Sequence, residues 1–128
     1  GVWILLTINT PLAPAAIGPY SQAKAHGDML FVSGQIPLDP VTNEVVGTDI
    51  QVQSLQVMKN LEAILTEAGT HYGNVIKTTC FLSDMADFAV FNALYEQYFV
   101  SKPARSCIAA KALPKGVLVE IEAIAVLD

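Results

Sequence analysis

Residues 103–127 read PARSCIAAKALPKGVLVEIEAIAVL, and the way this stretch pairs decides how the rest of the chain is read. Two apolar runs flank Leu113-Pro114-Lys115-Gly116, which has the composition of a turn. A β-hairpin with those residues as its loop pairs Ala112 with Val117. Counting outward, Ala109 faces Glu120, Cys107 faces Glu122 and Arg105 faces Ile124. Directly opposed residues of an antiparallel pair point to the same side. This register therefore puts Arg105, Cys107, Glu120 and Glu122 on one face. Ile108, Val119, Ile121 and Ala125 take the other, the core face. A slip of one residue would split the polar set between the two faces.

A guanidinium and two carboxylates on an otherwise apolar hairpin have two readings. The simpler is a solvated face, or an Arg–Glu pair that satisfies itself. The sharper is an anion site, in which Arg105 offers a planar fork to a carboxylate and a nearby Glu handles protons or water.

With 128 residues, the chain is expected to form one domain over 1–128. It is 52% hydrophobic and 15% charged, with a mean hydropathy of +0.44. Ordinary domains are about 25% charged, and a small domain has much surface for its volume. The apolar excess predicts surface buried between subunits, hence a homo-oligomer. A net charge of −5 argues against a nucleic-acid or membrane-surface binder, which needs a basic face. Cys80 and Cys107 form neither a disulfide framework nor a zinc pattern, and His26 and His71 lie far from both, so no metal site is expected. The apolar run Val2–Leu6 is too short for a signal peptide core or a membrane span, which makes the cytoplasm, or an organelle interior after processing, the expected location.

Going along the chain, Val2–Ile8 is a strand. The segment from Asn9 to Pro19, with Pro11, Pro14 and Gly18, is a loop that delivers Tyr20. Ser21–Ala25 and Met29–Ile36 form a hairpin around His26-Gly27-Asp28. Gly34 inside its second strand, beside Ser33, marks a bulge or a close approach by another group. Thr48 or Asp49 caps a helix to about Ala68, with Leu55, Met58, Leu61, Leu65 and Ala68 as its buried stripe and Gly69 as its stop. That helix reads as purely structural. Val75–Leu82 is a strand with Thr78 and Cys80 on one side and Thr79 and Phe81 on the other. Asp84 or Asp87 starts a second helix to about Phe99. Its core stripe is Phe88, Phe91, Leu94, Tyr95 and Tyr98, and Asn92 sits among them. Two helices on one face of a mixed sheet make an α+β two-layer sandwich.

APAAIGPYSQA, FVSGQIPLDP, VIKTTCFLSDMADF, FNALYEQYF, PARSC and LPKG followed by VEIEAIAV resemble the RidA (YjgF) family of reactive enamine/imine deaminases. The resemblance runs from about Ala13 to Val126. Gly1–Thr10 departs from the pattern, and the connection Val100-Ser101-Lys102 looks short. It implies a chorismate-mutase-like fold and a homotrimer whose sheets form a central barrel, with clefts between subunits. It implies hydrolysis of 2-enamine or 2-imino acids to 2-keto acids and ammonia, with no cofactor or metal. By matching motif, Arg105 resembles the residue that binds the substrate carboxylate and Glu120 the residue that positions the hydrolytic water. Tyr20, Ser33, Gly34, Asn92 and Cys107 resemble the pocket wall, with Cys107 not a nucleophile and Glu122 unassigned. Two other classes remain open: a ribonuclease or translation inhibitor, which the acidic balance disfavours, and a non-catalytic metabolite sensor using the same pocket.

Overall fold

The computed structural model describes residues 4–128. Strand β1 spans Leu5–Ile8, β2 Ala23–His26 and β3 Met29–Gln35. Helix α1 spans Ile50–Glu67, β4 Val75–Leu82, α2 Phe88–Tyr98, β5 Ala104–Ala109 and β6 Val119–Val126. Of the first expected strand, Val2 and Trp3 lie outside the described residues, and Ile4 precedes β1. The hairpin expected around Gly27 forms between β2 and β3, with Gly27 at φ 62.

The six strands lie in the order β1-β2-β3-β6-β4-β5. All neighbouring pairs are antiparallel except β4 and β5, which are parallel. Parallel neighbours need a long crossover, and residues 83–103, containing α2, supply it. The hairpin expected over 103–127 therefore does not form. Strand β4 lies between β5 and β6 and hydrogen-bonds to both. The turn tetrapeptide does turn, as a 3-10 element at Pro114–Gly116 with Lys115 and Gly116 at φ 56 and 67. It sits inside a longer connection, residues 110–118, which carries the chain past the end of β4.

This order changes the faces. Thr78 is flanked by Arg105 and Ala123, and Cys80 by Cys107 and Ile121. Thr79 is flanked by Ser106 and Glu122, and Phe81 by Ile108 and Glu120. Arg105 and Cys107 thus share the helix-covered face with Val119, Ile121 and Ala125. Glu120 and Glu122 share the open face with Ile108, which the hairpin register had put in the core. The expected single polar face is replaced by two, because a central strand intervenes.

Helix α1 begins where its cap predicts: the Asp49 side chain accepts a hydrogen bond from the Val52 amide at 2.9 Å. Its buried stripe includes Met58, Leu61 and Leu65 as expected, and also Val57 and Ile64, while Leu55 is only half-buried. The stripe is not wholly apolar. The Asn60 amide donates to the carbonyls of Ile36 and Leu38 at 3.1 and 3.0 Å, and the Gln53 carbonyl accepts from the Leu118 amide at 2.8 Å. The helix thus fixes two loops as well as filling the core.

A third buried amide governs the loop before Tyr20. Gln22 accepts from the Thr10 amide at 2.7 Å and donates to the carbonyls of Thr10 and Pro14 at 3.0 and 2.9 Å. Gln22→Leu keeps the volume and strands those backbone groups. It is expected to cost about 2–4 kcal/mol, seen as a lower urea midpoint at unchanged slope.

Candidate active site

The first cluster forms where edge strand β5 meets α2. Arg105 leans toward the helix. Its Nη1 donates to Asn92 Oδ1 at 2.7 Å, and its Cζ lies 4.7 Å from the Tyr95 ring centroid and 5.5 Å from that of Phe88. None of these partners is a carboxylate, so the self-satisfying Arg–Glu pair does not exist among the described residues. The guanidinium borders a depression of about 690 Å³ that also involves Asn92, Glu96, Lys102 and Pro103. Cys107 lies two residues along the same face, half-buried. Burial pushes its thiol above the ordinary range, and the Arg105 charge only partly opposes that. Burial likewise pushes Cys80 up to about 12. A reactive cysteine needs the opposite shift.

The second cluster lies on the open face. Strand β3 changes register between Val32 and Gln35, which is the bulge that Gly34 marked. The other reading of Gly34, a close approach, also holds. A Cβ at Gly34 would land on Oε2 of Glu120 and 2.9 Å from its Cδ. The bare glycine backbone is thus the seat of the Glu120 carboxyl. Burial raises the pKa of that carboxyl, and the negative charge of Glu122 raises it further. Beside it, Ser33 Oγ donates to the Ser21 carbonyl at 2.6 Å and the Ser33 amide to the Gln22 carbonyl at 2.9 Å. These bonds tie the bulge to the segment carrying Tyr20, whose side chain is 55% exposed. Tyr20, Ser33, Phe31 and Glu122 line a groove of about 720 Å³.

The site residues expected from the sequence therefore assemble in two groups. Arg105, Asn92 and Cys107 come together on one face; Tyr20, Ser33, Gly34 and Glu120 come together on the other. One chain does not join the groups. Among the residues given no site role beforehand are Phe88, Tyr95 and Glu122. Phe88 and Tyr95 read as core, because an aromatic stripe at helical spacing serves either purpose. Glu122 faces the groove, and its alternation with Glu120 along β6 was the available signal. No group of three or more His, Cys, Asp or Glu among the described residues is arranged to hold a metal ion. No helix among them is long and apolar enough to cross a membrane.

A six-stranded mixed sheet carrying two helices has close counterparts among known structures. A family model described as endoribonuclease L-PSP matches residues 10–127, and the chain belongs to that family, the RidA/YjgF/TdcF proteins. The 2-iminobutanoate/2-iminopropanoate deaminase of Escherichia coli strain K12 is 49% identical over 124 residues, 94% of this chain and 96% of that protein. The crystal structure of the E. coli YjgF gene product superposes with a TM-score of 0.89 at 48% identity, covering 94% of this chain and 98% of that one. E. coli TdcF with bound serine gives a TM-score of 0.91 at 45% identity over 96% and 99% of the two chains.

The Glu122 charge can be removed without touching the Gly34 seat. In Glu122→Gln the Glu120 pKa should fall, because a neighbouring anion no longer opposes ionisation. It should stay above the ordinary 4.5, because burial is the larger cause. A carbon-13 NMR titration of the Glu120 carboxyl measures both.

Proposed function

We propose that the protein hydrolyses reactive 2-enamine and 2-imino acids of the 2-aminoacrylate type to 2-keto acids and ammonia, in the cytoplasm. The observation that carries this reading is the near-full-length identity of 49% to a 2-iminobutanoate/2-iminopropanoate deaminase. The chemistry of the two clusters supports it. Arg105 takes the substrate carboxylate by charge-assisted hydrogen bonds from the donors that Asn92 does not occupy. Glu120, in its ionised form, accepts a proton as water adds to C2 of the imine. With the imine protonated on nitrogen, addition leaves a neutral carbinolamine; the proton passes from Glu120 to its nitrogen, and as the C–N bond breaks the carbinolamine hydroxyl gives its proton back to Glu120, so that ammonia leaves and the C=O forms. Positioning does much of the work, because the imine carbon is already electrophilic.

A site that uses both residues needs two copies of the chain, since each copy turns them to opposite faces of its sheet. We assign it to clefts between subunits of a chorismate-mutase-like homotrimer whose open sheet faces pack into a central barrel. Leu5, Phe31 and Ile108 favour this: all three stand on that open face, 68%, 48% and 51% exposed, and such apolar exposure marks an interaction surface. The open face of one copy, with Glu120 and the neighbouring Tyr20–Glu122 groove, then meets the Arg105 depression of the next. The family's descriptive name favours a second reading, a ribonuclease, which the net charge of −5 opposes. Salt-sensitive RNA binding would favour it.

The primary test is ammonia release from freshly generated 2-aminoacrylate and 2-iminobutyrate, with and without the protein; no acceleration would overturn the proposal. Arg105→Lys keeps a charge but loses the fork. It should weaken pyruvate binding by about ten- to a hundred-fold, the worth of one charge-assisted bond. Glu120→Gln should bind pyruvate as wild type does and lose turnover by roughly 10²–10⁴-fold. Because Glu120 must be ionised to accept a proton and its pKa is raised, wild-type turnover should fall with decreasing pH through a value above the ordinary 4.5. Light scattering should give three copies of the 13.7 kDa chain; a monomer at micromolar concentration would remove the shared cleft.

A further inference from the structure

Arg105 belongs to an exposed edge strand, yet its guanidinium is fixed from several directions. Phe88, Asn92 and Tyr95 are spaced four and three residues apart, so they form one stripe of α2. The two rings lie 5.5 and 4.7 Å from Arg105 Cζ, and Asn92 accepts from Nη1 at 2.7 Å. The nearer ring is itself immobilised. The Tyr95 hydroxyl shares a 2.6 Å hydrogen bond with Thr78 Oγ1, and its ring stacks on Phe99 with centroids 4.2 Å apart at 24°. Thr78 is fully buried, and it is the residue directly opposite Arg105 in the β4–β5 pair. The strand register and the ring thus close a loop: Thr78 holds Tyr95, Tyr95 holds the guanidinium, and the backbone of Arg105 is hydrogen-bonded beside Thr78.

We infer that Tyr95, braced by Thr78, is a positioning residue for the substrate carboxylate, its ring face holding the Arg105 fork at a fixed angle to the cleft. This rests on the proposed carboxylate role of Arg105. A long flexible side chain loses rotamer freedom when it binds, and a guanidinium already laid on an aromatic face has lost much of it beforehand. A ring that merely filled the core would leave ligand binding unaffected by its loss.

The test is an NMR titration with pyruvate, run beside imine kinetics on the whole protein, with thermal melts reporting folding. Tyr95→Leu should weaken pyruvate binding by about two- to thirty-fold, the range of a cation–π contact, and raise KM in proportion. Tyr95→Phe restores the ring but loses the Thr78 brace, so it should recover most but not all of the binding that Tyr95→Leu loses. In an Arg105→Lys background, where no planar fork needs a shelf, Tyr95→Leu should change binding by less than about twofold, which is the signature of coupling. Phe88→Leu removes the farther, half-buried ring and should weaken binding in the same direction, which supplies a second measurement if Tyr95→Leu does not fold. Wild-type binding by both Leu variants would overturn the inference. So would a Phe variant as weak as Tyr95→Leu, or a Tyr95→Leu loss that is undiminished in the Arg105→Lys background. If Arg105→Lys alone binds pyruvate as wild type does, the carboxylate role of Arg105 fails, and that result is separate from any Tyr95 measurement.

Discussion

Strand β4 hydrogen-bonds along both edges, and the opposite facing of Arg105 and Glu120 depends on that. A strand presents alternate residues to opposite faces, and its neighbours inherit the alternation through the register. With Thr78 committed to the core, Arg105 on one side and Ala123 on the other must face the helices. With Phe81 committed to the open face, Glu120 must face away from them. No loop adjustment can bring Arg105 and Glu120 of one chain together without moving β4 by a residue. Such a slip would expose Cys80 and Leu82, both fully buried.

The two charged groups are held by different means, each suited to its sign. Arg105 is exposed on an edge strand and is oriented by ring faces and a neutral amide, which leave its charge uncancelled. Glu120 is half-buried on a glycine that leaves it room, where desolvation and Glu122 both favour its neutral form. Such a carboxyl keeps its proton to a higher pH than an exposed one does. Their separation also keeps them from forming an internal ion pair, which would have neutralised both.

Local chemistry made much of the fold legible. Asp49 and Gly69 bracket the first helix, Gly27 marks the β2–β3 turn, and the alternation of Thr78 and Cys80 with Thr79 and Phe81 gives the two faces of β4. What local chemistry could not show was partner choice. The tetrapeptide at Leu113–Gly116 turns the chain whether its flanking strands pair with each other or with a strand between them. The site shares this asymmetry. Motifs pointed to the residues, and Gly34 pointed to both its bulge and its visitor, but the division into two groups follows from strand order. Phe88 and Tyr95 hid behind core spacing, because a ring that supports a guanidinium and one that fills an interior recur at the same helical intervals.

The position of β6 has a consequence for how the molecule is made. It follows every other described strand in the chain, yet it lies between β3 and β4. As the polypeptide leaves the ribosome, β1-β2-β3 and β4-α2-β5 emerge as two separate pieces, each with an unpaired edge. Neither edge is covered until residues 119–126 arrive. Open edges recruit other chains, so the nascent protein is most exposed to misassembly late in synthesis. Any message truncated before Val119 would yield two sheet fragments with no strand between them.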